Sequence, residues 1–277
     1  MCFALLEGLR VVAVAANLPG PLAAARLRTL GASVVKIESL RGDPLAAAAP
    51  AWYEQIIAGM EILQLDLQEP EAKPLLAQRL RDADLLLTSI RPRSLANSEL
   101  DWATLHPRYP RLCCVALVGE PPPNDDRPGH DLTYQARAGM IAPPALPRVL
   151  VGDMAAAERV VNVALALIVQ RERTGRPDFA TVAITEVARD FAEPFEHGLT
   201  RDGGVLGGGL PLYNIYRARD GWVAVAALEP HFAERLQVML GVERLDVASM
   251  GAAFARRSAQ EWETLAQHHD LPLAAIR

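Results

Sequence analysis

Asp153 stands in Gly152-Asp153, directly ahead of a long helical pattern, and it is the position where this sequence most plainly offers chemistry. A carboxylate at a helix N-terminus is favoured in its ionised form by the helix dipole. An ionised carboxylate can be a nucleophile or a base. The same placement suits an N-cap that accepts backbone N–H bonds, and the two roles are compatible. His130 lies in Pro128-Gly129-His130-Asp131, just after a polar loop. Gly129 would let the backbone turn tightly and present the ring, although a lone histidine is more often a surface or structural residue. Glu229, in Ala227-Leu228-Glu229-Pro230, ends a valine-rich strand. An acid there is commonly a solvated turn residue. Gly207-Gly208-Gly209 could cradle a phosphate or lie over a ligand, or be only a flexible loop. His268-His269-Asp270 does not read as a metal site, because adjacent histidines project to different helix faces and no third ligand follows at suitable spacing.

These residues need elements to hold them, and the pattern is an alternation of strands and helices. Leu9 to Ala15 is a valine-rich apolar run, the mark of a strand buried on both faces. Asn17-Leu18-Pro19-Gly20-Pro21 is a turn with a proline suited to the first helical position. Residues 22–30 have helical spacing and stop at Gly31, and Val34 to Ile37 is a second strand. Strand, helix and strand at this length imply a parallel sheet. Strands are expected at Ile62 to Leu67, Asp84 to Thr88, Leu112 to Val118 and Val223 to Ala227. Helices are expected at Pro70 to Leu80, Asp131 to Ala138, Met154 to Arg173 and beyond His231, with a glycine-rich loop from Gly203 to Gly209. Glu38, at the end of the second strand, stands where a dinucleotide-binding acid would. The fingerprint G-x-G-x-x-G is absent, so Glu38 is read instead as a turn residue or an ion-pair partner of Lys36 or Arg41.

Composition narrows the classes. Of 277 residues, 51% are hydrophobic and 22% charged, which excludes wholesale disorder. The net charge is −5 and no Lys/Arg block is long enough for a nucleic-acid or membrane patch. Cys2, Cys113 and Cys114 make neither a disulfide framework nor a zinc spacing, which suits a reducing cytoplasm. Glu7 and Arg10 interrupt the start, so no leader is expected there, and the apolar run Val160 to Val169 is too short to span a bilayer. Mean hydropathy is +0.10 with only 5% aromatics. The apolar excess is therefore Ala, Leu and Val, which points to buried helices or subunit contact.

Taken in order, several segments resemble CoA-transferase family III, the CaiB/BaiF group, which includes formyl-CoA and carnitine CoA-transferases and 2-methylacyl-CoA racemases. They are Pro19-Gly20-Pro21, Leu30-Gly31-Ala32, Val35-Lys36-Ile37-Glu38, Gly42-Asp43-Pro44, Leu65-Asp66-Leu67 and Ile90-Arg91-Pro92. Arg127-Pro128-Gly129-His130-Asp131, Gly152-Asp153, Arg171 to Arg176, Gly208 to Tyr213 and Ala227 to Pro230 complete the series. The motifs are most similar to the racemase branch. The resemblance implies an α/β fold: a Rossmann-like parallel sheet over residues 1–200 that binds CoA, and a smaller α+β domain over 201–277. It also implies an interlocked homodimer, with a partner subunit as the other option, and no resident cofactor, coenzyme A being the substrate's handle.

Asp153 would be the catalytic carboxylate. In transferases it attacks the thioester, giving a mixed anhydride and then an aspartyl-CoA thioester covered by the glycine loop. In racemases His130 faces it across the substrate, with Glu229 fixing the histidine tautomer, and the α-proton moves between the two. CoA contacts are implied for Pro19, Lys36, Arg41, Leu65, Ile90, Arg91, Gly129, Gly208 and Gly209. Proton transfer is the favoured expectation, CoA transfer the alternative, and an inactive CoA-binding or partner subunit the third. The third is motivated by departures from the family pattern. Ala58-Gly59-Met60-Glu61 replaces a basic Asn-Arg-Gly-Lys stretch, so that Glu61 would repel CoA phosphates. Ala155 and Ala156 stand where glycines are usual, and the sequence stops at Arg277, short of the family's return segment.

Overall fold

A computed structural model describes residues 4–277; Cys2 lies outside them. Six parallel strands form the main sheet: β1 (Arg10–Val14), β2 (Ser33–Glu38), β3 (Glu61–Gln64), β4 (Leu85–Thr88), β5 (Cys113–Val118) and β6 (Phe179–Ala183). Their order is β3-β2-β1-β4-β5-β6. Helices α1 (Pro19–Thr29), α2 (Pro44–Ala48), α3 (Pro50–Ile57), α4 (Ala72–Asp82), α5 (Pro92–Asn97) and α6 (Trp102–Arg108) fill the first crossovers. Then come α7 (Asp131–Arg137), α8 (Val151–Thr174) and α9 (Ile184–Glu196).

The strands are apolar on both faces because both faces are covered. Val11, Ala13, Leu85 and Leu87 pack with Leu27 of α1, Ile56 of α3 and Val160 of α8. The alternate residues Val12, Val14 and Leu86 pack with Leu76 and Leu80 of α4, Leu95 of α5 and Leu105 of α6. Helix α8 supplies its stripe from Ala156, Val160, Ala164, Leu167 and Arg171, spaced three or four apart, and ends at Gly175 with φ +69°. It starts earlier than its apolar pattern suggests, so Asp153 is the third helical residue rather than the N-cap.

The chain divides into two compact units, the second being Glu193–Arg277. That unit holds an antiparallel sheet of β7 (Tyr213–Arg217), β8 (Trp222–Ala226) and β9 (Leu273–Ile276). Helices α10 (Pro230–Leu240), α11 (Val247–Phe254) and α12 (Ala259–His268) enclose its core of Tyr216, Leu236, Met250, Phe254 and Trp262. Among the described residues no helix is long and apolar enough to cross a membrane.

Candidate active site

In an open parallel sheet the crevice for ligands forms outside the carboxyl ends of the strands, where the chain order reverses. Here the reversal lies between β1 and β4, and two cavities open there. The smaller, about 220 Å³, reaches Asp153, His130, Tyr134, Arg91 and Arg127. The larger, about 740 Å³, reaches Lys36, Arg41, Leu65 and Ile90. Both are lined by Ala16, Asn17 and Ser89, so they adjoin. Ser89 ties the two strand ends together by accepting the Ala16 N–H at 3.1 Å. Gly20 lets α1 start close against β1: a Cβ there would lie 2.5 Å from that of Ala15. Pro19, the first residue of α1, lines the smaller cavity as a result.

Asp153 is half-buried, and its backbone N–H donates to Asp131 Oδ1 at 3.0 Å. The capping expected of Asp153 is therefore done for its helix by Asp131, reaching from α7. Gly152 makes room, since a Cβ there would sit 2.9 Å from Asp131 Oδ1. Gln135 donates from Nε2 to Asp131 Oδ2 and to the Val149 carbonyl at 2.9 Å, which locks the arrangement. Burial first, and then the nearby Asp131 carboxylate, push the Asp153 carboxyl up to about 7. This corrects the expectation of a fully ionised group: desolvation and a like charge outweigh the helix terminus. Asp131→Asn is expected to move the Asp153 titration toward the acid side by only part of the distance, because burial remains. Carboxyl-carbon NMR of labelled aspartate would read it, and an unmoved titration would show that burial alone sets the value.

His130 is the exposed N-cap residue of α7, with its backbone N–H donating to Thr133 Oγ1 at 3.2 Å. Gly129, also lining the cavity, brings the loop over Tyr134 so closely that a Cβ would lie 2.4 Å from the ring. Arg91 and Arg127 are exposed and carry no ion pair with the described residues within the structure, so both guanidinium groups are available to an anion.

Under the larger cavity lies a buried charged network. Lys36 Nζ is wholly buried and pairs with Glu38 and, at 2.8 Å, with Asp43 Oδ2. The Tyr53 hydroxyl donates to Glu38, and burial followed by that carboxylate holds its phenol well above the usual range. Asp43 Oδ1 caps α2 by accepting the Leu45 N–H at 2.9 Å and also takes the Asn17 N–H at 3.0 Å. Glu38 is thus the ion-pair partner of Lys36, not of Arg41. The Lys36 charge is spent inside the protein, whereas Arg41 is exposed and has no ion-pair partner among the described residues.

Glu61 opens β3, at the end of a parallel strand opposite its carboxyl terminus, and pairs with Arg79 of α4. It lines a separate cavity with Arg10 and Ser33. Glu61 therefore lies at the end of the sheet opposite the two cavities at the strands' carboxyl ends, with Arg79 beside its charge.

Glu229, Gly208 and Gly209 belong to the second unit. Glu229 is the exposed N-cap residue of α10 with no side-chain capping bond. Gly208 has φ +87°, and a Cβ on Gly207 would lie 1.8 Å from the Arg201 carbonyl oxygen, so this turn is built on glycine.

Sequence reasoning did not single out Asp131, Tyr134 and Gln135 as the residues packed around Asp153 and its cavity. The signal was available: at spacings of three and four they share the buried face of α7, and two of them are polar.

The family model described as CoA-transferase family III matches residues 6–277. The chain is 28% identical to the cinnamoyl-CoA:phenyllactate CoA-transferase of Clostridium sporogenes over 86% of its own length. It spans 65% of that enzyme. It is also 28% identical to the alpha-methylacyl-CoA racemase of Mus musculus, over 93% of this chain and 74% of the racemase. The crystal structure of Rv3272 from Mycobacterium tuberculosis matches with a TM-score of 0.86 at 26% identity, covering 98% of this chain and 84% of that one.

Proposed function

The chain belongs to CoA-transferase family III, and from that premise we propose that it acts on an acyl-CoA by moving the proton beside the thioester carbonyl. The observation that carries this reading is one cavity shared by His130 and an Asp153 whose carboxyl titrates near 7. A general acid/base works best with a pKa near the operating pH. One group takes the α-proton, the C–H pair forms an enolate, and the other group returns a proton to the opposite face. The CoA portion takes the larger cavity, with Leu65 and Ile90 against its apolar parts and Arg41 on a phosphate. Lys36 then acts as a positioning residue beneath it. Pro19, Arg91 and Gly129 border the thioester end. The roles given to Glu229, Gly208 and Gly209, and the homodimer, rest on the family resemblance.

Solvent exchange tests the reading. A chiral 2-methylacyl-CoA incubated in deuterated water should take up deuterium at the 2-position, and absence of uptake would sink it. The second reading is CoA transfer, favoured by the likeness to the phenyllactate CoA-transferase. It requires Asp153 to attack the thioester as a carboxylate, with coenzyme A leaving as the thiolate. A hydroxylamine- or borohydride-trappable adduct on Asp153, without exchange, would favour it. If calorimetry detects no binding of CoA or acetyl-CoA, both give way to a partner-subunit role.

A further inference from the structure

Tyr134 is buried, with 4% of its surface exposed, and its ring belongs to the core against which α8 packs. Its phenol end is clamped between two glycines. A Cβ on Gly119 would lie 2.2 Å from the hydroxyl oxygen, and one on Gly129 would lie 2.6 Å from it. Buried tyrosine hydroxyls ordinarily find a hydrogen-bond partner. This one has none among the described residues. It is not sealed off either: the hydroxyl oxygen keeps some exposure, and the residue lines the cavity that holds Asp153 and His130. A rigid, desolvated donor without a protein acceptor is what a developing oxyanion requires.

We propose that the Tyr134 hydroxyl donates a hydrogen bond to the thioester oxygen of an acyl-CoA bound in this cavity, and so is a catalytic residue. This rests on the acyl-CoA reading above. As the α C–H bond breaks, its electron pair forms the carbon–carbon double bond and the carbonyl π pair moves onto oxygen. The proton goes to Asp153 or His130, and Tyr134 keeps its own proton while its O–H bond points at the oxyanion. In the transfer reading the same donor would face the tetrahedral oxyanion formed by carboxylate attack. Burial first, and the neighbouring Asp153 second, hold the phenol above its ordinary pKa, so the hydroxyl stays a donor across the working range.

The test compares the full chain with Tyr134→Phe, which keeps the ring and removes one oxygen. The probe is acetyl-CoA labelled with ¹³C at the carbonyl, read by isotope-edited infrared difference spectra of the bound thioester. The expected result is a carbonyl band at lower frequency in the wild type than in Tyr134→Phe. Acetyl-CoA affinity should stay within about threefold, and turnover should fall about 10²- to 10³-fold. Identical bands in the two proteins would overturn the role of Tyr134 and leave the acyl-CoA reading standing. A wild-type protein that binds no acetyl-CoA would overturn both.

Discussion

Asp153→Asn is expected to abolish turnover while making the protein more stable above pH 7. Asparagine keeps the shape and loses the titratable oxygen. In the proton-transfer reading this removes an acid/base worth about 10²- to 10⁴-fold, and in the transfer reading it removes the nucleophile. The stability gain follows from linkage. The Asp153 carboxyl, ordinarily near 3.8, titrates at about 7 in the folded protein. Between those values the folded state binds a proton that the unfolded state has lost, so stability falls as pH rises through this window and levels off above it. The full displacement corresponds to roughly 4 kcal/mol, an upper figure for a half-buried group. Urea unfolding at pH 5 and pH 8 should show a steep loss in the wild type that the variant lacks. Equal pH slopes in the two proteins would mean that Asp153 is solvated and ordinary. An active variant would remove it from the chemistry.

Lys36→Met should carry the largest stability cost of any single substitution in the lining of the larger cavity. Its ammonium has no exposure and sits between Glu38 and Asp43. Methionine matches the stem but leaves two buried carboxylates without their cation. Removing one partner of a buried pair typically costs about 3–5 kcal/mol. The damage is not confined to the pair. Asp43 also holds the Asn17 and Leu45 N–H groups, and Asn17 borders both cavities. Acyl-CoA affinity should therefore fall with stability. Adding Glu38→Gln should recover part of both, since it removes the more expendable of the two charges. A loss below about 1 kcal/mol in urea titration would instead indicate an ion pair of the weak, solvated kind.

The division between what was readable and what was not follows the range of the forces involved. The parallel sheet was legible because the apolar runs of β1 and β5 mark strands covered on both faces and the strand-helix-strand spacing at the start implies a parallel crossover. Helix α8 was legible from its apolar stripe and its terminal Gly175, although its first residues, lacking that stripe, were not. Strands β6, β7 and β9 were missed. Each has four or five residues and lies at a sheet edge, so its main signal is the partner it pairs with. The surroundings of Glu61 were not legible for a related reason: its charge is local information, but its pairing with Arg79 and its place at the start of an edge strand are topology.

The candidate site divides in the same way. The α/β architecture was readable in the sequence by itself, because it depends on residue type and short-range spacing, and the family resemblance was readable in the order of its motifs. Only the tertiary structure decided how the candidate site residues are tuned. Asp131, twenty-two positions away, takes the Asp153 N–H and raises its carboxyl by lying close in a buried place. Glu38 and Asp43 consume the charge of Lys36, and two glycines from separate segments clamp Tyr134 beside the cavity. Desolvation and Coulomb interactions act through space, and which groups they couple is set by the packing of elements distant in the chain.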